Sequence, residues 1–315
     1  MTTTLRTLNL GGILDRGVNI FRAQPLLFFG LGLIPGLAEL AYQIASVHPK
    51  SVTNPDAAHI ALVVASYGAT FVLWVGQIVL GAIVTAAVCL ATSKINLGEA
   101  ISIRFAFDSF KSKGGRLVWL GFLQGFYAGW PFFIIVFVAA FMAAGVGSSA
   151  NPLYVMLPIY ILGSVPCIAL YTRYALAFPA CAIENLGAQA SIKRSVGLSE
   201  GGRWRICGGF LVPLVPPLIV LGGSAALIEY LKAVSPLLAE SPLIAASLNG
   251  LAALLMGLVF TPFNSIVLTL LYYDQRIRRE GYDIERMMDT AGMNSPVTEL
   301  SEAGPAATEA EEAHA

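Results

Sequence analysis

Charged side chains are scarce: Asp, Glu, Lys and Arg make up 12% of 315 residues, against about 25% in an ordinary soluble domain. So little charge leaves too little polar surface to face water, and lipid is the expected solvent. Histidine is rarer still, with only His48, His59 and His314. His48 and His59 flank Asp56 in a predicted loop, without an HExxH-type ligand spacing, and read as solvated loop residues. The four cysteines, Cys89, Cys167, Cys181 and Cys207, all fall in apolar stretches. None has CxxC or Cys/His spacing, which excludes a zinc site and a disulfide framework and leaves small packing residues. No Walker A loop, GxSxG elbow or GxGxxG turn after a strand occurs, and Gly145-Val146-Gly147-Ser148 stands at a helix–helix turn. No catalytic set, metal, cofactor or nucleic-acid partner is therefore expected. A cleaved signal peptide is not expected either, because the first apolar run begins near Pro25 and outlasts a typical signal core.

What the chain has in abundance is apolar length. Hydrophobic residues make up 56%, and the mean hydropathy is +0.72. About 20 apolar residues cross a hydrocarbon core. Six runs reach that length, at 25–47, 60–93, 117–146, 152–183, 206–231 and 243–273. Backbone groups in lipid must bond within their own segment, so each run is predicted to be a helix. The fold class expected is an all-α, polytopic membrane bundle of six transmembrane helices. Runs beyond thirty residues tilt or project from the bilayer.

Basic residues set the orientation. The N-terminal arm, the 94–116 and 184–205 loops and the segment after 273 carry sixteen of the nineteen Lys and Arg residues. The opposite connections carry only Lys50 and Lys232, and Arg173 lies inside the fourth run. Positive loops stay inside, so both termini are expected in the cytoplasm and the chain in the cytoplasmic (inner) membrane. Trp119, Trp204, Tyr272 and Tyr273 fall where helices meet the cytoplasmic interface. Residues 1–289 read as one membrane domain. The tail 290–315 has five acids and no base and reads as disordered. Without that tail the net charge is +5, nineteen bases against fourteen acids.

A threefold repeat is also visible. Asn9-Leu10-Gly11, Asn96-Leu97-Gly98 and Asn185-Leu186-Gly187 recur at spacings of 87 and 89. Ser102-Ile103-Arg104 is echoed by Ser191-Ile192-Lys193. Parallel repeats of about 9–93, 96–183 and 185–273 are expected, each an interfacial amphipathic helix followed by a helix pair, with a basic helical extension after 273. In the first unit Leu10, Ile13, Leu14, Val18 and Phe21 share a face opposite Asp15, Arg16 and Arg22. In the third, Ala188, Ile192 and Val196 recur beside Lys193 and Arg194. The second, around Ile101, Ile103 and Phe105, mixes two periods. Such helices can lie in the interface, with Arg16, Arg104, Lys193, Arg194, Arg203 and Arg205 near anionic lipid headgroups. A compatible reading is that they link spans and close the cytoplasmic face of the bundle.

Within the spans, ionisable residues are functional candidates by default. Glu39 lies in the first run and Arg173 in the fourth, where they can pair, or Arg173 can snorkel beside Tyr171 and Tyr174. Asn264 joins them as a candidate, and Gln77, Gln124 and Glu229 rank lower. Pro35, Pro131, Pro213, Pro216, Pro217, Pro158, Pro166, Pro179 and Pro262 all interrupt runs and are expected to kink them. Gly68, Gly76, Gly81, Ala82, Ala86 and Ala87 in the second run read as close-packing residues.

Two stretches carry a family resemblance. The first runs from Tyr171-Thr-Arg173 through Pro179, Glu184-Asn-Leu-Gly187 and Ser191-Ile-Lys-Arg-Ser195 to Gly202-Arg-Trp-Arg205. The second is Leu271-Tyr-Tyr-Asp274-Gln-Arg-Ile-Arg-Arg279, continuing to Glu285. Both are similar to bacterial multi-helix proteins of the glycerophosphoryl diester phosphodiesterase membrane-domain-like family, over about residues 5–290. The resemblance marks Arg173, Pro179, Asp274 and Arg279 as matching positions. It implies no activity, since the chain has neither room for a phosphodiesterase barrel nor a histidine-carboxylate site. The function expected is that of a non-enzymatic, lipid-associated scaffold or accessory protein. The rival is a transporter or channel for a small solute or lipid, using Arg173 and Glu39.

Overall fold

The computed structural model describes residues 7–48, 56–96, 114–145, 152–235 and 240–290. Among these there is no strand. In chain order the helices are α1 (Leu10–Ala23), α2 (Pro25–Ala45), α3 (Ala57–Asn96), α4 (Gly114–Gly145) and α5 (Pro152–Tyr174). They continue as α6 (Ala177–Ile183), α7 (Ala188–Ser199), α8 (Arg203–Val234), α9 (Pro242–Glu280) and α10 (Tyr282–Thr290). Among the described residues, six stretches are long and apolar enough to cross a membrane: Pro25–Ala45, Ala57–Asn96, Gly114–Val138, Ile161–Ile183, Arg203–Val234 and Pro242–Glu280. The protein is a multi-pass helical membrane protein. Large apolar side chains point outward along the spans, Phe137 and Leu162 each 73% exposed, as a lipid-facing surface requires. α3 has 40 residues, about 60 Å at 1.5 Å per residue, so it runs beyond a ~30 Å hydrocarbon core.

Packing is concentrated at one end. In α3 every buried residue lies at Ala82 or later, and in α9 the long buried stretch runs from Ser265 to Gln275. Phe28, Val88, Leu176, Leu198, Ile206, Ile266 and Tyr272 form the centre of the main core there. A second core joins Leu117 and Leu120 to Cys181 and Ile192. Cys89 and Cys181 are buried free thiols, filling space as expected.

The short helices belong to this packed end. Asn9 caps α1, its Oδ1 accepting from Gly12 N–H at 2.7 Å. The buried face of α1 is Ile13, Gly17 and Ile20, and a Cβ on Gly17 would stand 3.4 Å from Phe263 and Val267. The apolar face of α1 is thus turned onto α9. Gln24, held at φ −138° before Pro25, separates α1 from α2.

α2 packs closely against α9. A Cβ on Gly32 would lie 2.7 Å from the Leu258 carbonyl, and one on Gly250 would lie 2.7 Å from Leu40 Cδ1. Gly36 and Gly257 face each other across the same seam. The Gly32–Gly36 spacing is the small-xxx-small pattern of membrane helix pairs. Gly68, Gly76 and Gly81 of α3, in contrast, face open space, while Ala82, Ala86 and Ala87 are buried. The glycine packing expected in the second run is found between the first and sixth.

Most of the prolines lie inside continuous helices. α2, α4, α8 and α9 continue through Pro35, Pro131, the Pro213, Pro216, Pro217 cluster and Pro262. The chain breaks between α5 and α6 at Ala175–Leu176, four residues ahead of Pro179, where the ring excludes the helical carbonyl. Ser195 of α7 closes the gap: its Oγ donates to the Arg173 carbonyl at 2.8 Å and accepts from Leu176 N–H at 3.1 Å.

The three Asn-Leu-Gly copies begin different local structures. Asn9 is a helix cap, Asn96 is the last residue of α3, and Asn185 sits in a left-handed turn at φ 57°. The amphipathic segment of the second unit, with Arg104, and the acidic tail lie outside the described residues, as does Lys50.

Candidate functional site

Two polar zones stand out. The first is a cavity of about 570 Å³ between the helices, walled by α2, α3, α5, α6, α8 and α9. Pro35 and Gly36, Pro213 and Pro217, and Gly257 open its walls. A proline removes the N–H that the carbonyl one turn earlier would accept, so its helices are locally short of donors. Glu39 supplies the charge. Its Oε1 accepts from Gln43 Nε2 at 2.8 Å and its Oε2 from Gln77 Nε2 at 2.6 Å. These two amides fix the carboxylate's orientation and offset part of the cost of its partial burial. Asn264 faces the same space from α9, and its Oδ1 is buried without a partner. Tyr171 and Thr85 complete the polar lining beside Ser265 and Thr261, whose hydroxyl and carbonyl are joined at 3.0 Å.

Of the three intramembrane candidates, Glu39 and Asn264 meet on this cavity and Arg173 does not line it. The Glu39–Arg173 pair is absent among the described residues, since both Glu39 oxygens take glutamine amides. Arg173 lies in the last turn of α5, just before the break ahead of Pro179, where its carbonyl accepts from Ser195 of α7 and its Nε is buried without a partner. Gln77, ranked lower from sequence, is the residue that holds Glu39. Gln124 is 4% exposed on α4, with Oε1 unpartnered. Glu229 pairs with Lys232 one turn away at 2.7 Å.

The second zone is an ion-pair network at the packed end. Arg194 of α7 bridges two carboxylates, with Nε to Glu184 Oε2 at 3.0 Å and Nη2 to Glu280 Oε2 at 2.7 Å. Hydrogen bonding to Glu280, above all, raises the Arg194 guanidinium above its ordinary value. Arg276 reaches both acids, at 3.6 Å and 3.3 Å, with its guanidinium 3.9 Å above the Tyr282 ring. Tyr272, fully buried, donates its hydroxyl to Glu184. Nearby, Asp274 is 3% exposed and pairs with Arg205 and Arg278, each at 2.9 Å. It also accepts from Leu8 N–H at 3.0 Å, while Arg278 Nη2 donates to the Leu8 carbonyl at 3.0 Å. Arg279 caps the C-terminus of α7 through the Gly197 and Glu200 carbonyls, both at 2.6 Å.

The basic residues expected near headgroups therefore divide. Arg194 and Arg205 face carboxylates of the protein. Arg16 is half-buried, and burial lowers its pKa. Lys193 and Arg203 are exposed, and Arg104 lies outside the described residues. Sequence reasoning passed over Glu184 and Glu280 as partners. The spacing of Asp274 to Arg278 and of Arg276 to Glu280, four residues each, was the signal available.

Among the described residues no group of three or more His, Cys, Asp or Glu side chains is placed to hold a metal ion. No curated protein and no solved structure matches the chain. A family model does, that of a domain of unknown function (DUF7847), over residues 8–274, and the chain belongs to that family.

Proposed function

We propose that this chain is a non-enzymatic protein of the cytoplasmic membrane, with both termini inside and three parallel helix-pair units, that holds a small amphipathic molecule in its bundle cavity. The observation that carries the reading is the acceptor pair on that cavity: the Glu39 carboxylate fixed by two glutamines, and the orphaned Asn264 carbonyl. Two acceptors in a largely apolar hollow call for a ligand with an amine or hydroxyl head and an apolar body. A carrier or accessory for such a molecule fits better than a purely electrostatic scaffold, because Arg194 is turned inward onto Glu184 and Glu280. Arg173 takes no part in the binding step.

Native mass spectrometry of the purified full chain tests the reading. A co-purifying mass should be present in the wild type, lost in Glu39→Gln with Asn264→Leu, and retained in Lys193→Ala. Equal retention by all three proteins, or a wild type that carries nothing from native membranes, counts against it.

A further inference from the structure

A separate pocket of about 490 Å³ lies where α8 begins and α9 ends, and shares no residue with the bundle cavity. Its lining includes Arg205, Arg278, Arg279, Gln275, Gly202 and Trp204. Three guanidiniums meet there against the carboxylates of Asp274, behind Arg205 and Arg278, and Glu200 on the rim, so one positive charge is left over. Arg205 Nε is paired with Asp274 Oδ2 at 2.9 Å, while its Nη2 is buried without a hydrogen-bond partner. Gln275 is 3% exposed, and its Nε2 also has no acceptor. Buried donors without acceptors are costly and uncommon.

Shape points the same way as charge. At Gly202 the Gln275 amide takes the place of a side chain in the wall: a Cβ there would stand 2.6 Å from Gln275 Oε1. Trp204, 90% exposed, stands on the rim, a side chain that favours the membrane–water boundary. The pocket thus has surplus positive charge, and in its wall the Arg205 Nη2 and Gln275 Nε2 groups are buried without an acceptor from the protein. Arginine forks match the oxygens of a tetrahedral oxyanion.

We propose that this pocket binds a phosphate group, carried by a phospholipid headgroup or as the free anion. Arg205 and Gln275 supply the unused donors, Arg278 contributes charge, and Arg279 stays committed to the end of α7. The proposal is independent of the cavity reading, and either can fail alone.

Binding to the full-length protein in neutral detergent is measured by native mass spectrometry and by thermal shift, with inorganic phosphate and with short-chain phosphatidic acid as separate probes. Short-chain phosphatidylcholine is the zwitterionic comparison. Gln275→Glu keeps the shape but replaces a donor with a negative charge. It should weaken binding at least tenfold, and Arg278→Gln should weaken it several-fold. The exposed Lys193→Ala should bind as the wild type does, and so should Glu39→Gln. Because Gln275 is buried, size-exclusion profiles and the unliganded melting midpoint report whether its variant is folded, and Arg278→Gln gives a second reading. Binding of phosphatidic acid alone assigns the site to lipid, and binding of both probes assigns it to the phosphate itself. No binding of either probe by the wild type, or equal binding by Gln275→Glu, Arg278→Gln and wild type, overturns the proposal.

Discussion

The bundle cavity and the ion-pair network use the same few polar residue types to opposite ends. Around Glu184 and Asp274, each acid meets two arginines, and a tyrosine hydroxyl or backbone N–H takes another lone pair. Around Glu39, among the described residues, there is one acid, no cation, two glutamine amides and an unpartnered Asn264 oxygen. A satisfied network rigidifies, whereas a half-satisfied one is a site awaiting a partner. The helix walls agree: α3 and α9 are tightly packed near the network and open onto the hollow beside Gly81 and Gly257. The comparison separates acids that hold the fold from an acid that is free to bind.

Substitutions can break that contrast. The largest effect is expected for Asp274→Ala, which strands Arg205 and Arg278 and removes the acceptor of Leu8 N–H. A loss of about 3–5 kcal/mol is expected for removing one member of a buried pair, read as denaturant-induced unfolding in mixed micelles. Tyr272→Phe deletes the hydroxyl that donates to Glu184 and should cost roughly 1.5–3 kcal/mol, as bonds to charged groups do. The same unfolding assay reads it, and a loss near zero would remove Glu184 from the rigid half of the comparison. Gly32→Ala places a methyl 2.7 Å from the Leu258 carbonyl. Prising α2 from α9 should cost about 1–3 kcal/mol, with a lowered melting midpoint and altered cysteine cross-linking across the seam. Smallest in stability is Glu39→Gln, expected within about 1 kcal/mol of wild type, since its two amide neighbours can turn to meet it. Its effect should appear in ligand retention instead. A large stability loss there would move Glu39 into the structural class.

Much of the architecture is legible in the sequence because lipid leaves few choices. A run such as 206–231 has no way to satisfy its backbone except as a helix, and α8 covers it. The capping role of Asn9 follows from residue type and position. Lateral arrangement was not legible. Gln77 reaches Glu39 across 38 positions only because α3 lies against α2, and nothing in either segment announces the neighbour. Small residues misled for a related reason: the second run is richer in them, yet a glycine matters only where another backbone comes close, as Leu258 does at Gly32. The network was half legible. Asp274–Arg278 and Arg276–Glu280 are neighbours along one helix, whereas Arg194–Glu280 joins residues 86 apart.

The bond from Leu8 to Asp274 joins positions 266 apart. α1 is synthesised five spans ahead of α9, which carries both the carboxylate that holds Leu8 and the face covering Gly17. The beginning of the chain must therefore wait, undocked, through the synthesis of five spans. A nascent chain arrested before α9 will have its first helix open to protease, and release of the full length will close it.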